Sequence, residues 1–276
     1  MYEKMPIGYP VYFEGKYEYD PVYPLYVQTI ECEFEIKPNK IPTIQIRHTL
    51  DFLDNEYVTT SNHQRIVLTM TNVDLQLFYD HYNIINPKYL CGWKFRGSKH
   101  IFDSYINFWT EEKITAGKEG NKGKRQIAKL MLNSLYYGRF GISLTARQKA
   151  PYLDDNGNLR YYNLPPEEKS GLYLPVASYV TSYGRNKTIR TAQAVRDFTL
   201  QKYGIDKWLY CDTDSVKANL TDEDLNELKD IIDIDDYALG KWALEEHFEK
   251  FLGLRQKCYI TQVDGKTHVT VAGLPQ

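Results

Sequence analysis

The segment Tyr210-Cys211-Asp212-Thr213-Asp214-Ser215 decides the fold of this chain, and a short apolar strand at Trp208-Leu209-Tyr210 leads into it. Two carboxylates two positions apart at the end of a strand are expected on one face, because alternate residues of a strand share a face. Such hard oxygen ligands hold magnesium in phosphoryl transfer, together with substrate phosphates. Asp-Thr-Asp is also a favourable sequence for a solvated turn. From this segment alone, a catalytic metal site and a structural turn are equally good interpretations.

Upstream, a predicted helix runs into the segment Lys129-Leu-Met-Leu-Asn133-Ser134-Leu-Tyr136-Tyr137-Gly138. Polar residues recur here at spacings of three or four, which predicts one helical face. They are Lys118, Lys122, Arg125, Lys129, Asn133 and Tyr136. Lys and Arg neutralise phosphates and a Tyr ring stacks against a sugar or base, so the stripe predicts a nucleoside triphosphate site. The alternative is a solvated helix face, but the stripe contains no acidic partner at i±4, which favours the functional interpretation.

A third segment, Arg255-Gln256-Lys257-Cys258-Tyr259, places basic residues inside a β-like run. Lys257 and Tyr259 are expected on the same strand face. A lysine near the metal site predicts a contact with a primer phosphate, whereas the alternative is a lysine that protects an edge strand from further pairing.

Taken in this order, the three segments resemble the family B DNA polymerases, specifically the protein-primed branch of small tailed phages. In that family the second palm motif reads Tyr-x-Asp-Thr-Asp-Ser, the fingers motif reads Lys-x-x-x-Asn-Ser-x-Tyr-Gly, and a third motif reads Lys-x-Tyr. The matching segments begin at Tyr210, Lys129 and Lys257, and the resemblance covers essentially the whole chain. It implies an α+β fold: a family B polymerase palm with an antiparallel sheet, helical fingers and two β-rich terminal-protein-region insertions.

The resemblance also implies four regions along the chain. They are a first terminal-protein-region insertion over 1–100, fingers over 101–141, a second insertion over 142–172, and the palm over 173–276. In this family the first insertion contacts the priming protein and DNA, and the second closes around downstream DNA. The implied partners are therefore primer–template DNA, deoxynucleoside triphosphates and a terminal (priming) protein. A separate N-terminal polymerase half is a further candidate partner, because the first palm motif does not occur in the sequence.

Residue roles are implied at the matching positions of the motifs. The implied catalytic and metal-binding residues are Asp212 and Asp214, with Mg²⁺ or Mn²⁺ as the cofactor. The implied nucleotide-binding residues are Lys113, Arg125, Lys129, Asn133 and Tyr136. The implied DNA-binding residues are Ser134, Gly138, Tyr210, Thr213, Ser215, Lys257 and Tyr259.

Two features depart from the family pattern. Tyr137 stands between Tyr136 and Gly138, where the family has Gly directly after the motif Tyr. The first palm motif, Asp-x-x-Ser-Leu-Tyr-Pro, does not occur in the sequence, and the exonuclease domain and the thumb are expected to be missing as well. Two-metal nucleotidyl transfer needs carboxylates from both sides of the ions. We therefore expect template-directed DNA synthesis that is weak or absent in this chain alone.

Two other functions stay open at this point. A non-catalytic module would bind DNA or the terminal protein as the partner of a separately encoded N-terminal half. A neighbouring reading frame with the first palm motif would indicate a split or truncated polymerase. A palm nucleotidyltransferase of another kind, such as a reverse transcriptase, is the third interpretation. The Asn-Ser-x-Tyr helix argues against it, and a preference for RNA templates would argue for it.

Composition limits the remaining classes. The 276 residues carry 34 Lys and Arg against 36 Asp and Glu, a net charge of −2, so a DNA-binding groove has to be locally basic. The four cysteines are scattered and the six histidines have no metal-binding spacing, which argues against a disulfide framework or a zinc site and indicates a reducing compartment. No segment approaches the ~18 apolar residues of a membrane span. The sequence predicts an intracellular protein of the host cytoplasm with no membrane partner.

Hydrophobic patterning predicts the secondary structure. Strand pairs are predicted at 32–36 with 43–47, across a turn at 37–40, and at 56–59 with 65–69. Helices are predicted at 73–82, at 101–137 with a break over 115–123, at 175–204 and at 221–232, and a hairpin at 151–166. A further helix followed by strands is predicted after Ile232.

Overall fold

The computed structural model describes residues 3–46, 56–135, 140, 145–146, 148–165, 167–168, 173–235, 238 and 240–271. The chain divides into two compact units, residues 1–99 with 181–276 and residues 100–180. No helix in the described part of the chain is long and apolar enough to cross a membrane.

The first unit contains the larger sheet. Its N-terminal elements are β1 (Met5–Glu14), β2 (Leu25–Ile36), β3 (Ile44–Ile46), β4 (Glu56–Val58), β5 (Ile66–Thr71), α1 (Asn72–His81) and β6 (Tyr82–Ser98). Four antiparallel strands form the sheet in the order β1-β6-β2-β5, and β3 pairs separately with β4. Alternate residues of β2 are buried against α1, so one face of the sheet carries the core.

Helix α1 begins where a threonine caps it. Thr71 Oγ1 accepts a hydrogen bond from the Asp74 N–H at 3.2 Å, which satisfies one of the free donors of the first turn. The helix ends where Tyr82 turns extended and starts β6. Leu75 and Phe78 are buried against β2, and Leu77 is buried in a second cluster with residues of a later helix. The helix predicted at 73–82 is confirmed.

The strand pairing predicted for 32–36 with 43–47 is wrong. The turn between them does form, because the Lys40 N–H donates to the Lys37 carbonyl at 3.2 Å. After the turn, Ile41 is buried, its N–H donates to Gln193 Oε1 at 2.9 Å and its carbonyl lies 2.7 Å from His81 Nδ1. These long-range bonds redirect the chain, so that β2 pairs with β5 and β6 instead. The second predicted pairing is also wrong, since β4 pairs with β3 and β5 with β2.

The second unit is built from two helices and a hairpin. Its elements are α2 (Asp103–Lys118), α3 (Lys122–Asn133), β7 (Thr145–Ala146), β8 (Lys149–Leu153), β9 (Leu159–Asn163), β10 (Glu167–Glu168) and the first residues of α4 (Leu174–Tyr203). Gly120, with a φ of +70°, follows α2, and Asn121 caps α3 by accepting from the Lys124 N–H at 3.0 Å. The two helices and the β8–β9 hairpin are confirmed.

One detail of the predicted stripe needs correction. Lys118 ends α2, whereas Lys122 begins α3, so the two lie on different helices and the stripe does not run along one helical face from Lys118 onward. The cause is the Gly120-Asn121 break, which the sequence placed inside a longer loop. Glycine at positive φ and an asparagine cap allow one helix to stop and the next to start within a few residues.

The C-terminal part of the first unit carries the predicted palm segments. Its elements, after α4, are β11 (Trp208–Asp212), β12 (Ser215–Ala218), α5 (Asp222–Leu228), β13 (Lys250–Arg255), β14 (Cys258–Val263) and β15 (Lys266–Val271). β11 and β12 form a hairpin, and β13, β14 and β15 form a three-stranded antiparallel sheet. The helix predicted at 175–204 is confirmed as α4.

Two helix predictions after α4 fail in part. α5 ends at Leu228, four residues short of the expectation, because Ile231 and Ile232 both donate their N–H groups to the Leu228 carbonyl and close the helix. The further helix expected after Ile232 is wrong for the described residues up to Val271. That segment folds back on itself instead, with the Trp242 N–H donating to the Asp233 carbonyl at 2.8 Å.

The start of α5 makes the fold sensitive to acid. Asp224 is fully buried. Burial alone would raise the pKa of its carboxyl, but the Lys202 ammonium at 2.8 Å and the Tyr203 hydroxyl at 2.6 Å, with the Thr221 N–H at 3.1 Å, hold that pKa well below its ordinary value. A folded-state pKa below the unfolded value of about 3.9 stabilises the fold at neutral pH, and that stabilisation is lost as the pH falls from about 4 toward the folded-state pKa.

We therefore expect Asp224→Asn to be less stable than the wild type at neutral pH, with the difference shrinking below about pH 4. Urea unfolding at several pH values measures this difference. The matched control is Asp222→Asn, an exposed carboxylate in the first turn of the same helix. If the difference between wild type and Asp224→Asn stays constant on acidification, the buried carboxylate is not the group that titrates.

Candidate active site

The turn between β11 and β12 holds the first predicted segment. β11 ends at Asp212 and β12 begins at Ser215, and these two residues are paired across the hairpin. Thr213 has a φ of +44°, a strained conformation for a β-branched residue. Its carbonyl accepts a hydrogen bond from Thr188 Oγ1 of α4 at 2.8 Å, so the long helix holds the turn in this conformation.

The Asp212 carboxylate is saturated with donors. Lys257 Nζ lies 2.8 Å from Oδ1 and 2.6 Å from Oδ2, a contact to both oxygens. Thr213 Oγ1 donates to Oδ1 at 2.9 Å, and the Tyr210 hydroxyl lies 3.4 Å from Oδ2. The structure therefore brings the first and third predicted segments together through Asp212 and Lys257.

Asp214, unlike Asp212, is not surrounded by hydrogen-bond donors of the described residues. Its side chain is exposed at the tip of the turn, and within the described ranges it has no hydrogen bond or ion pair. Magnesium binds through one or two carboxylates, with waters and substrate phosphates as the other ligands. A free carboxylate at an exposed turn fits that requirement. In the described part of the chain, no three His, Cys, Asp or Glu side chains form a group suited to a metal ion.

An aromatic cluster backs the turn. The ring centroids of Tyr210, Phe251 and Tyr259 lie between 5.4 and 6.2 Å apart. Burial raises the pKa of the Tyr210 hydroxyl, while the N–H of Lys257, which donates to that hydroxyl at 2.9 Å, opposes the rise. The hydroxyl therefore stays protonated and fixes the β13–β14 turn against β11.

Cys211 is a structural residue in this site. Burial raises the pKa of its thiol to about 11, and the nearby Asp212 carboxylate adds to the rise. Only the thiolate is nucleophilic or ligates metals well. Cys211 is therefore neutral at physiological pH and acts as a small apolar residue, packed against the cluster of Leu77, Ile189 and Ala192.

The helical residues of the predicted nucleotide site lie in the second unit. Arg125, Lys129 and Asn133 of α3 are exposed, while Ala128 and Leu132 are buried on the opposite face. Among the described residues, this amphipathic pattern exposes the cationic face of α3. Lys113 lies half-buried on α2.

Other predicted residues have local partners or lie outside the described part. Ser134 Oγ donates to the Met131 carbonyl at 3.0 Å, so its hydroxyl bonds its own helix. Ser215 Oγ donates to the Asp212 carbonyl at 3.2 Å. Tyr136 and Gly138 lie outside the described residues, and their roles stay predictions.

Sequence reasoning missed a polar network between α1 and α4. Asp74 Oδ1 accepts from Arg185 Nη1 at 2.6 Å, and Asp74 Oδ2 accepts from Ser182 Oγ at 2.6 Å. Ser182 also bonds Thr71 Oγ1 at 2.9 Å. These partners are 108 to 111 positions apart in sequence, so no local pattern could have connected them.

The relatives found by comparison with known proteins are DNA polymerases. A family model described as DNA polymerase type B, organellar and viral, matches residues 1–232. The DNA polymerase of Bacillus phage Nf is 42% identical over 273 residues, which are 96% of this chain and 45% of that protein. The DNA polymerase of Streptococcus phage Cp-1 is 38% identical over 277 residues, which are 98% of this chain and 45% of that protein. The chain spans less than half the length of these relatives.

Solved structures agree with the sequence relatives. The orthorhombic crystal form of Phi29 DNA polymerase matches with a TM-score of 0.82 at 37% identity, covering 99% of this chain and 48% of that one. Phi29 DNA polymerase complexed with primer-template DNA and incoming nucleotide substrates matches with a TM-score of 0.81 at 37% identity, with the same coverage. The α+β polymerase fold expected from the sequence is confirmed.

Proposed function

Because this chain belongs to the organellar and viral family of type B DNA polymerases, we propose that it forms the nucleotide-adding part of a protein-primed phage DNA polymerase. The observation that carries the proposal is the turn at Asp212–Ser215. It presents one free carboxylate, Asp214, beside a lysine and an aromatic cluster that come from a separate sheet. This is the arrangement expected where a cation, a triphosphate and a primer end meet.

The proposed chemistry is template-directed nucleotidyl transfer. The attacking group is a DNA 3′-hydroxyl or, at initiation, a hydroxyl of the terminal protein. When bound, Mg²⁺ or Mn²⁺ neutralises charge on the triphosphate, and Asp214 would hold it. Lys257 and Tyr259 would position the primer strand. Coordination from one side does not complete a two-metal site, so the opposing carboxylate would come from a polymerase segment that carries the first palm motif.

The nucleotide would be bound by the helical residues of the second unit. Lys113, Arg125 and Lys129 would neutralise its phosphates, and Tyr136 would lie against the sugar and base. Exposure of the cationic α3 face supports this role. The regions 1–100 and 142–172 would contact the terminal protein and downstream DNA, and the protein would act in the host cytoplasm.

The alternative function is a non-catalytic module that binds DNA or the terminal protein. The saturated Asp212 favours it, because only one carboxylate of the turn is left for a cation. Such a module would bind primer–template DNA but would not bind nucleotide in a template-dependent way.

The test is binding of a labelled deoxynucleoside triphosphate by the chain with primer–template DNA and Mg²⁺. We expect the nucleotide that pairs with the template to bind, and each of Arg125→Ala and Lys129→Ala to weaken it by about tenfold. Losing one charge-assisted hydrogen bond costs about 1.5 kcal/mol, and ~1.4 kcal/mol is a factor of ten.

The matched control is Lys266→Ala, an exposed lysine at the start of β15. It should leave nucleotide binding unchanged. DNA binding without any template-dependent nucleotide binding would favour the non-catalytic module. Absence of DNA binding would contradict both functions.

A further inference from the structure

The first unit contains a cavity that is separate from the candidate active site. Its volume is about 190 Å³, and it is partly open to solvent. Helix α4, strand β12, helix α5 and the segment 232–248 form its walls. Most of the lining is apolar, from the side chains of Val195, Val216, Leu225, Ile232, Trp242 and Phe248. Since an apolar cavity of about 150 Å³ is large enough to bind benzene, this cavity has room for a single aromatic ring.

The wall formed by residues 232–248 is fixed to α4 by two side chains. Trp242 Nε1 donates to Thr191 Oγ1 at 2.9 Å. Lys187 Nζ donates to the Gly240 carbonyl and lies 5.4 Å from the centroid of the Trp242 ring. Lys187 and Thr191 are four positions apart on the helix and therefore lie on the same face. The cavity is thus already formed without a ligand, and a ligand would not have to order this wall.

Lys217 of β12 contributes an ammonium group to the lining. Its side chain is 16% exposed, and its Nζ lies 3.7 Å from Glu246 Oε2, which is longer than a hydrogen bond of ~2.7–3.2 Å. The Nζ also lies 5.6 Å from the ring centroid of Phe248 and 5.1 Å from that of Tyr259. Across the described ranges, which end at Val271, this ammonium forms no hydrogen bond.

The surroundings of Lys217 favour an acceptor that enters from the cavity. An ammonium has three donors, and burying a charge is costly unless it is hydrogen-bonded. The aromatic rings attract the cation but accept no ordinary hydrogen bond. Glu246 is partly exposed, and an ion pair of this kind contributes little. A carboxylate in the cavity therefore has weak competition for the donors of Lys217.

We propose that this cavity binds a small aromatic carboxylate. The ring lies against the apolar walls formed by Val195, Val216 and Trp242, and the carboxylate accepts hydrogen bonds from Lys217 Nζ. A neutral ring would leave the ammonium without an acceptor. A triphosphate would bring several negative charges next to Glu246 and against apolar walls, where they lack partners. The described residues that line the cavity have no role in the proposed function, so this site is additional to it.

The test is binding of 4-fluorobenzoate to the full chain, followed by fluorine NMR of the ligand, with neutral 4-fluorobenzamide as the comparison. We expect the carboxylate to bind about tenfold more tightly than the amide, because its hydrogen bonds to Lys217 are charge-assisted. Lys217→Met keeps an apolar side chain but removes the ammonium. It should weaken 4-fluorobenzoate binding by about tenfold and leave 4-fluorobenzamide binding unchanged.

Two further variants test the position of the ligand. Glu246→Gln should strengthen 4-fluorobenzoate binding by about threefold, because it removes the carboxylate that competes for Lys217. Ala243→Leu adds bulk at an exposed residue of the lining, where the fold is not at risk. It should weaken both probes by at least about fivefold, because the added methyl groups take up space that the ring needs.

The matched control is Lys250→Met, an exposed lysine at the start of β13 that does not line the cavity. It should leave the binding of both probes unchanged. Equal affinities of the wild type for the two probes would overturn the proposal, as would a Kd for 4-fluorobenzoate above about 10 mM. An equal loss of 4-fluorobenzoate binding in Lys217→Met and Lys250→Met would also overturn it. Both probes are measured without DNA or nucleotide, so the result is independent of the proposed function.

Discussion

Primer extension by the purified 276-residue chain, with Mg²⁺ and all four nucleotides, is expected to be absent or very slow. The physical reason is the metal geometry. Two-metal transfer needs carboxylates on both sides of two ions ~3.5–4 Å apart. In the described residues only Asp214 offers a free carboxylate at the turn, because Lys257 occupies Asp212.

Extension should return when the missing carboxylate is supplied. The experiment joins the chain to the N-terminal half of a phage relative that carries Asp-x-x-Ser-Leu-Tyr-Pro. In that joined protein, Asp214→Ala is expected to slow extension by at least about a thousandfold, equivalent to ~4 kcal/mol of transition-state stabilisation. Asp230→Ala removes an exposed carboxylate of the same unit and should leave the rate unchanged.

The two halves of this prediction fail in different ways. Ordinary extension by the chain alone, lost in Asp214→Ala, would mean that another carboxylate of this chain completes the site. Extension by the joined protein that survives Asp214→Ala would mean that the turn does not hold the catalytic cation, and the proposed function would be wrong.

Local signals in the sequence predicted where α1 and α5 begin and predicted the β8–β9 hairpin. Thr71 and Thr221 cap helices that begin where the pattern placed them, and the Asn156-Gly157 turn closes the β8–β9 hairpin. In each case the deciding interaction lies within a few residues. Residues close in sequence were therefore enough to predict these helix starts and this hairpin.

Strand pairing could not be predicted in the same way. The Ile41 backbone forms hydrogen bonds with Gln193 and His81, which lie 152 and 40 residues away in the sequence. A period-two pattern indicates that a strand exists but not which strand it pairs with, because register depends on burial in the assembled sheet. β2 therefore pairs with β5 and β6 and not with β3, the strand that follows it in the sequence.

The candidate site was predicted as a set of motifs, not as a network. The sequence predicted functional roles for Asp212, Asp214 and Lys257, and these roles stay predictions. It did not indicate that Lys257 would bind Asp212 across 45 positions, or that Thr188 of α4 would hold the strained Thr213. These contacts depend on how the three-stranded sheet and α4 pack around the hairpin, which no local spacing encodes.

Helix α1 links the core of the larger sheet to the candidate site. Phe78 is fully buried, with ring centroids 5.4 Å from Phe34 and 5.0 Å from Tyr82. On its other side, Leu77 packs in the cluster that contains Cys211 and residues of α4. A loss of packing under α1 therefore reaches the hairpin that carries the two aspartates.

Phe78→Ala is expected to lower the free energy of unfolding by about 3–5 kcal/mol, the range for deleting a buried aromatic ring and leaving a cavity. Urea unfolding followed by circular dichroism measures it. Phe108→Ala is the matched control, because Phe108 is 54% exposed and its loss should cost less than about 1 kcal/mol. Equal effects from the two substitutions would contradict the buried position of Phe78. Since α1 also holds α4 through Asp74 and Arg185 at 2.6 Å, Phe78→Ala should further weaken Mn²⁺ binding at Asp214, whereas Phe108→Ala should not.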